Sequence, residues 1–154
     1  RMIMSRGFQV AKGFENAEII LPERKTRLSA GYDIGAAEDC TIPPFKWGDK
    51  PTLVKTGLKA FMENDEYLML CNKSSNPFKK GLVLANSIGI IDADYYENPD
   101  NDGHIMFAFY NFGDKELEIK KGDMIGQAIF CKYLTVENDK ADQKRMGGFG
   151  STSK

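Results

Sequence analysis

A chain of 154 residues is long enough for one domain with an ordinary core. Hydrophobic residues make up 42%, and no apolar run approaches the roughly 20 residues that a membrane-spanning helix requires. The formal charge of −1 excludes the broad basic field that holds duplex DNA nonspecifically, so neither nucleic acid nor membrane is expected as a partner.

The opening "RMIMSRGFQV" has no apolar segment ending in a small-residue cleavage site, and a cytoplasmic setting is expected. Residues 29–39, "SAGYDIGAAED", set Asp33 among small residues and leave space around a carboxylate. The first candidate strand is Leu53–Met62, followed by Tyr67–Cys71. "NKSSN" at 72–76 then offers a cation and two hydroxyls at a strand-to-helix turn, where backbone N–H groups point at anions. "SSNPFKKG" is the only helical candidate, two turns at most, with Ser74 or Ser75 as N-cap.

Strands at Leu82–Ala85 and Ile88–Ile91 lead into "NSIGIIDADYY" (86–96), an apolar run that ends in two acids and two tyrosines. The polar loop "YENPDNDGH" (96–104) precedes a strand at Ile105–Phe112, and His104 in that loop is expected at the surface. "KELEIKKGD" alternates, with Leu117 and Ile119 on one face. "KKGDMIGQAIF" turns at Gly122-Asp123 and enters a strand, Ile125–Leu134, that carries a lone polar residue, Gln127. In the tail, residues 140–154, Phe149 lies between glycines and is followed by Ser151 and Thr152. Glycine lets backbone N–H groups turn towards an anion, and a phenylalanine can lie on a planar base.

Short strands with frequent Gly and Pro punctuation indicate an all-β, single-domain sandwich or barrel. Cys40, Cys71 and Cys131, odd in number and far apart, argue for free buried thiols in a reducing compartment. With one histidine and no C-x-x-C pair, a zinc site would be hard to assemble.

In this order the motifs resemble the trimeric dUTPase family: "AGYDIGAAED", "KSS", "NSIGIIDADYY", "GDMIGQ" and "GGFGST", spread over residues 29 to 152. The resemblance implies a β-barrel or jelly-roll domain over 1–139 and a flexible C-terminal arm over 140–154. It also implies a homotrimer whose active sites draw on several subunits. The activity implied is hydrolysis of dUTP to dUMP and pyrophosphate with Mg²⁺, by water attack at the α-phosphorus.

By the same resemblance Asp92 orients and deprotonates the water, and Asp33 holds the metal through water. A hairpin over 82–91 receives uracil, with Asn86 reading the base edge and Gly89 and Ile91 in the substrate-binding set. Tyr95 lies under the deoxyribose and refuses a 2′-hydroxyl. Lys73, Ser74, Ser75 and Gln127 reach the phosphates or water, Phe149 stacks on uracil, and Gly150, Ser151 and Thr152 close over the γ-phosphate. Asp94 is read as a structural acid of the turn.

Three departures stand out. The second motif reads Asn72-Lys73-Ser74 where the family has Pro-Arg-Ser, so the forked geometry of arginine is lost. The fifth-motif arginine position falls on Lys144, with Arg145 one place later as the candidate. The 96–104 loop is longer than the family's Tyr-x-Gly turn. A dCTP deaminase of the same fold would need a glutamate on the following strand, and "HIMFAFYNF" has no acid. A catalytically silent trimer that binds nucleotide or a protein is the rival of a different class.

Overall fold

The computed structural model describes residues 5–148. Eleven short strands run through them: β1 (Gly7–Val10), β2 (Tyr32–Gly35), β3 (Cys40–Ile42), β4 (Thr52–Lys55), β5 (Leu58–Phe61), β6 (Glu66–Asn72), β7 (Leu82–Leu84), β8 (Gly89–Asp92), β9 (Met106–Asn111), β10 (Leu117–Ile119) and β11 (Met124–Lys132). One helix, α1 (Ser75–Lys80), and a single 3₁₀ turn at Ala93–Tyr95 complete the regular structure. The all-β expectation holds, and no helix among the described residues is long and apolar enough to cross a membrane.

Period-two alternation positions the core. In β6 the side chains of Glu66, Leu68 and Leu70 are buried while Tyr67, Met69 and Cys71 remain half-buried on the other face. In β9, Phe107, Phe109 and Asn111 point inward. A four-stranded sheet in the order β2-β11-β6-β8 and a three-stranded sheet, β4-β9-β7, bring Ile34, Leu68, Leu70, Leu82, Phe107, Phe109 and Ile125 into one cluster. Two-stranded ladders, β1-β5 and β10-β3, complete the sheets.

The structure departs from the sequence reading in several places. Leu53–Met62 is two strands, because Gly57 turns the chain at φ +70° and the Thr56 hydroxyl both donates to Ile105 O and accepts from Leu58 N–H. Residues 82–91 do reverse direction, but not as a paired hairpin: β7 pairs with β9 and β8 with β6. Each is the last strand of its sheet, so among the described residues one side of its backbone faces no other strand.

His104 is not at the surface. It is 8% exposed, its ring packs on Phe14, and its Nε2 accepts the Gly57 N–H at 3.0 Å. Burial, and then the positive charge of Lys55, push its pKa down to about 4. The three cysteines are free but half-buried rather than buried.

Candidate active site

The predicted site residues fall into two groups on the four-stranded sheet. The first lies where β2, β11 and the end of β6 meet. Asp33 on β2 stands opposite Gln127 on β11, which stands opposite Cys71 on β6. The Asp33 carboxylate is 22% exposed, with Lys25 Nζ 3.7 Å away. Gln127 Nε2 donates to Asn72 O at 3.2 Å, and its Oε1 occupies the space where a Cβ on residue 31 would stand, so the site requires Gly31. Ser74 holds the N-cap position of α1, yet its hydroxyl makes no capping bond. That hydroxyl is exposed.

Asn72 is structural. Its Nδ2 donates to Leu82 O at 2.9 Å, and its Oδ1 accepts from Asn76 Nδ2, which also donates to Ile125 O. These amides tie the end of β6 to β7, α1 and β11. Asn76, 2% exposed, went unrecognised in the sequence because an Asn in a polar stretch carries no signal of burial.

The second group lies at the opposite end of β6, where Asp92 pairs with Tyr67. The chain beyond β11 returns here. Arg145 donates from Nη2 to Asp92 Oδ2 and from Nε to Asp94 Oδ1, both at 2.7 Å, and from Nη1 to Gly147 O at 3.1 Å. Its side chain is 13% exposed, whereas those of Asp92 and Asp94 are 53% and 58% exposed. A cleft of about 360 Å³ beside them is lined by Asn64, Asp92, Ala93, Asp94, Tyr133 and Arg145. The Arg145 guanidinium carbon stands 6.0 Å from the centre of the Tyr95 ring, and Gly148 packs so close to that ring that a Cβ would lie 2.9 Å from Tyr95 Cε1. Asp94, read from sequence as a mere turn acid, is half of the seat for Arg145.

Asn86 is exposed at the turn, where Ile88 N–H and the Ser87 hydroxyl both donate to its carbonyl oxygen. Gly89 is buried over Leu70, whose Cβ would lie 3.0 Å from a Cβ at 89. Ile91 is half-buried against the core. Lys73 and Ser75 are half-buried beside Ser74. Phe149, Gly150, Ser151 and Thr152 lie outside the described residues.

The two groups do not meet within one chain. Asp33 and Asp92 lie on the two outermost strands of the sheet and are offset by four residues along β6. Strand spacing and rise put them roughly 20 Å apart.

A family model for dUTPase matches residues 17–153. The chain belongs to the dUTPase family. It is 48% identical over 149 residues to deoxyuridine 5′-triphosphate nucleotidohydrolase of Lactococcus lactis subsp. lactis, covering 96% of this chain and 97% of that protein. The crystal structure of dUTPase from Streptococcus mutans superposes with a TM-score of 0.79 at 40% identity, covering 86% of this chain and 99% of that one. A Staphylococcus bacteriophage 80alpha dUTPase variant with dUpNHpp shares the fold, with a TM-score of 0.69 at 19% identity over 92% and 98% of the two chains.

Within this dUTPase frame, the sheet groups the first, second and fourth motifs at one end, and the third motif with the start of the fifth at the other. Arg145, rather than Lys144, engages the third-motif acids Asp92 and Asp94.

Proposed function

We propose that the chain is a dUTP diphosphatase, hydrolysing dUTP to dUMP and pyrophosphate, with its active site completed between copies of a homotrimer. The observation that carries the second part is the separation of Asp33 from Asp92, on the two outermost strands of one sheet and roughly 20 Å apart by strand spacing and rise. One copy supplies the phosphate and metal half and another supplies the base, sugar and water half. The outer face of the sheet supports this reading. Met69, Ile90 and Ile129 line up there across β6, β8 and β11, flanked by Cys71 and Cys131, and Ile90 is 50% exposed. A contiguous apolar strip of this kind suits an interface between copies.

The base and sugar half is built from backbone. The free edges of β7 and β8 flank the 85–88 turn, offering carbonyls and N–H groups to the edge of a uracil, with Asn86 beside them. A pyrimidine with reversed donors would leave these groups unpaired and be refused. The Tyr95 ring supports the deoxyribose. Asp92 accepts the proton of the attacking water, which requires Arg145 to release it. Both carboxylates that hold Arg145 are about half exposed, so each ion pair contributes no more than about 1 kcal/mol and yields to a competing triphosphate. The arm from about residue 140 would then carry Phe149, Ser151 and Thr152 over the substrate.

Among the described residues no cluster of three or more His, Cys, Asp or Glu could cage a metal. A single open carboxylate, Asp33, fits an ion that retains several waters and takes its other oxygens from phosphates, as Mg²⁺ does. When bound, the ion offsets charge on the leaving pyrophosphate. Ser74, Ser75, Lys73 and Gln127 orient the phosphate chain beside it.

The test is a pyrophosphate-release assay with dUTP and Mg²⁺, with dCTP, dTTP and UTP in parallel and Asp92→Asn alongside. Turnover of dUTP, reduced about 10²–10⁴-fold in the variant, is expected. Binding of dUTP by the wild type without cleavage would replace this reading with that of a silent nucleotide-binding protein.

A further inference from the structure

The 96–104 loop closes around Tyr95. The Tyr95 hydroxyl donates to His104 O at 2.6 Å and accepts from Asn101 Nδ2 at 2.9 Å. At the other end of the residue, Asn98 Nδ2 donates to the Tyr95 carbonyl at 2.8 Å. The two loop asparagines are locked to each other, with Asn98 Nδ2 donating to Asn101 Oδ1 at 2.8 Å. Asn101 Oδ1 also accepts from Gly103 N–H, while Asn98 Oδ1 accepts from the N–H groups of Asp100 and Asn101. Lys59 fastens the loop to β5 through Glu97 at 2.6 Å and Asp102 at 3.0 Å.

The backbone is correspondingly constrained. Glu97 and Asp102 adopt left-handed φ values of 53° and 62°, a conformation that persists only where surrounding bonds over-determine it. Gly103 cannot be replaced, because a Cβ would lie 2.7 Å from Tyr95 O. Asn101 lies beside the arm: a Cβ on Gly148 would lie 3.1 Å from its Nδ2.

The geometry points to Asn101 as a positioning residue that sets discrimination between deoxyribose and ribose by holding the Tyr95 ring immobile. This rests on Tyr95 being the surface under the sugar. A ring that refuses a 2′-hydroxyl by contact does so only to the extent that it cannot retreat. A tyrosine held solely by packing can tilt away from an added oxygen. Here the hydroxyl is bonded on two sides, by a main-chain carbonyl and by an amide that is itself fixed through two further bonds. The loop thus stiffens the specificity surface.

The measurement is kcat/KM for dUTP and for UTP on the full-length protein, in wild type and in Asn101→Asp, Asn101→Ala, Tyr95→Phe, Tyr95→Ala and Glu97→Gln. Asn101→Asp keeps the acceptor for Gly103 and Asn98 and loses the donor to Tyr95, so it separates positioning from loop folding. Thermal unfolding midpoints identify any variant that merely fails to fold.

Both Asn101 variants and Tyr95→Phe are expected to lower the dUTP-to-UTP ratio about tenfold, the worth of one or two net hydrogen bonds. The double variant Tyr95→Phe/Asn101→Asp should be no worse than Tyr95→Phe alone. Glu97→Gln weakens one of the two Lys59 contacts and leaves the bonds to the Tyr95 hydroxyl in place, so it should lower the ratio far less than the Asn101 variants do. If Tyr95→Phe lowers the ratio but Asn101→Asp does not, or if the two effects multiply, or if Glu97→Gln lowers it equally, the role of Asn101 is overturned. If Tyr95→Ala leaves the ratio unchanged, the reading of Tyr95 under the sugar fails, and this inference with it.

Discussion

The two halves of the site are held by different means. The Asp33–Gln127 half stands on paired strands: its positions are fixed by ladder register, by the Asn72 and Asn76 amides and by the space that Gly31 leaves. The Asp92–Tyr95 half stands on a 3₁₀ turn and an irregular loop, and is fixed by side-chain hydrogen bonds, ion pairs and left-handed residues. Under the proposed function, the difference corresponds to what each half would do. A phosphate and metal surface needs a few rigid groups and open space. A surface that refuses a single oxygen atom needs every degree of freedom removed, while its contact with the arm must still open.

The largest break in that comparison is expected from the glycines of the strand-borne half. Gly126→Ala would drive a methyl into Phe107 and to 2.9 Å from the Cys71 carbonyl, neither of which can yield, and should cost about 1–3 kcal/mol of stability. Gly31→Ala displaces chiefly the mobile end of Gln127. Its midpoint of unfolding should fall little while kcat/KM for dUTP falls about 10–100-fold, as expected when a positioning group is moved by an ångström. An unchanged kcat/KM in Gly31→Ala would contradict the assignment of Gln127 to the site.

A smaller effect sharpens the loop-borne half. His104 must stay neutral to accept the Gly57 N–H, and its carbonyl anchors the Tyr95 hydroxyl. Its folded pKa of about 4 lies below the ordinary value of 6.5. The unfolded chain therefore binds a proton between these values that the folded chain does not. The contribution of His104 to stability is complete above pH 6.5 and is lost as pH falls from 6.5 towards 4. Thermal melts across that range should show the slope, and His104→Gln should flatten it. An unchanged slope would mean that His104 is not the group responsible.

What the sequence could and could not disclose follows the same division. Asp33, Ser74, Asp92, Tyr95 and Gln127 stand out as candidates because each sits in a short motif whose neighbours mark it. The all-β character was legible from alternation, as in Leu117 and Ile119 on β10. Strands β1 and β2 each carry a glycine and a polar side chain among four residues, Gly7 and Gln9 in one and Asp33 and Gly35 in the other, and show no apolar run. The pairing of β7 and β8 with different sheets depends on long-range contacts that a Gly-punctuated apolar run does not specify. The roles of Asn98 and Asn101 depend on loop closure: "ENPDND" reads as solvated polar chain until Lys59, 38 residues away from Glu97, is seen to fasten it. Burial of His104 was hidden for the same reason.

The claim that the two halves meet only between copies is tested most directly by complementation. Asp33→Asn and Asp92→Asn proteins, each inactive alone, would be unfolded, mixed in equal amounts and refolded together, with dUTP turnover compared with that of the wild type. If each site takes Asp33 from one copy and Asp92 from another, random mixing restores about a quarter of the wild-type activity. If both residues serve a site within one chain, every site in the mixture carries a lesion and no activity returns.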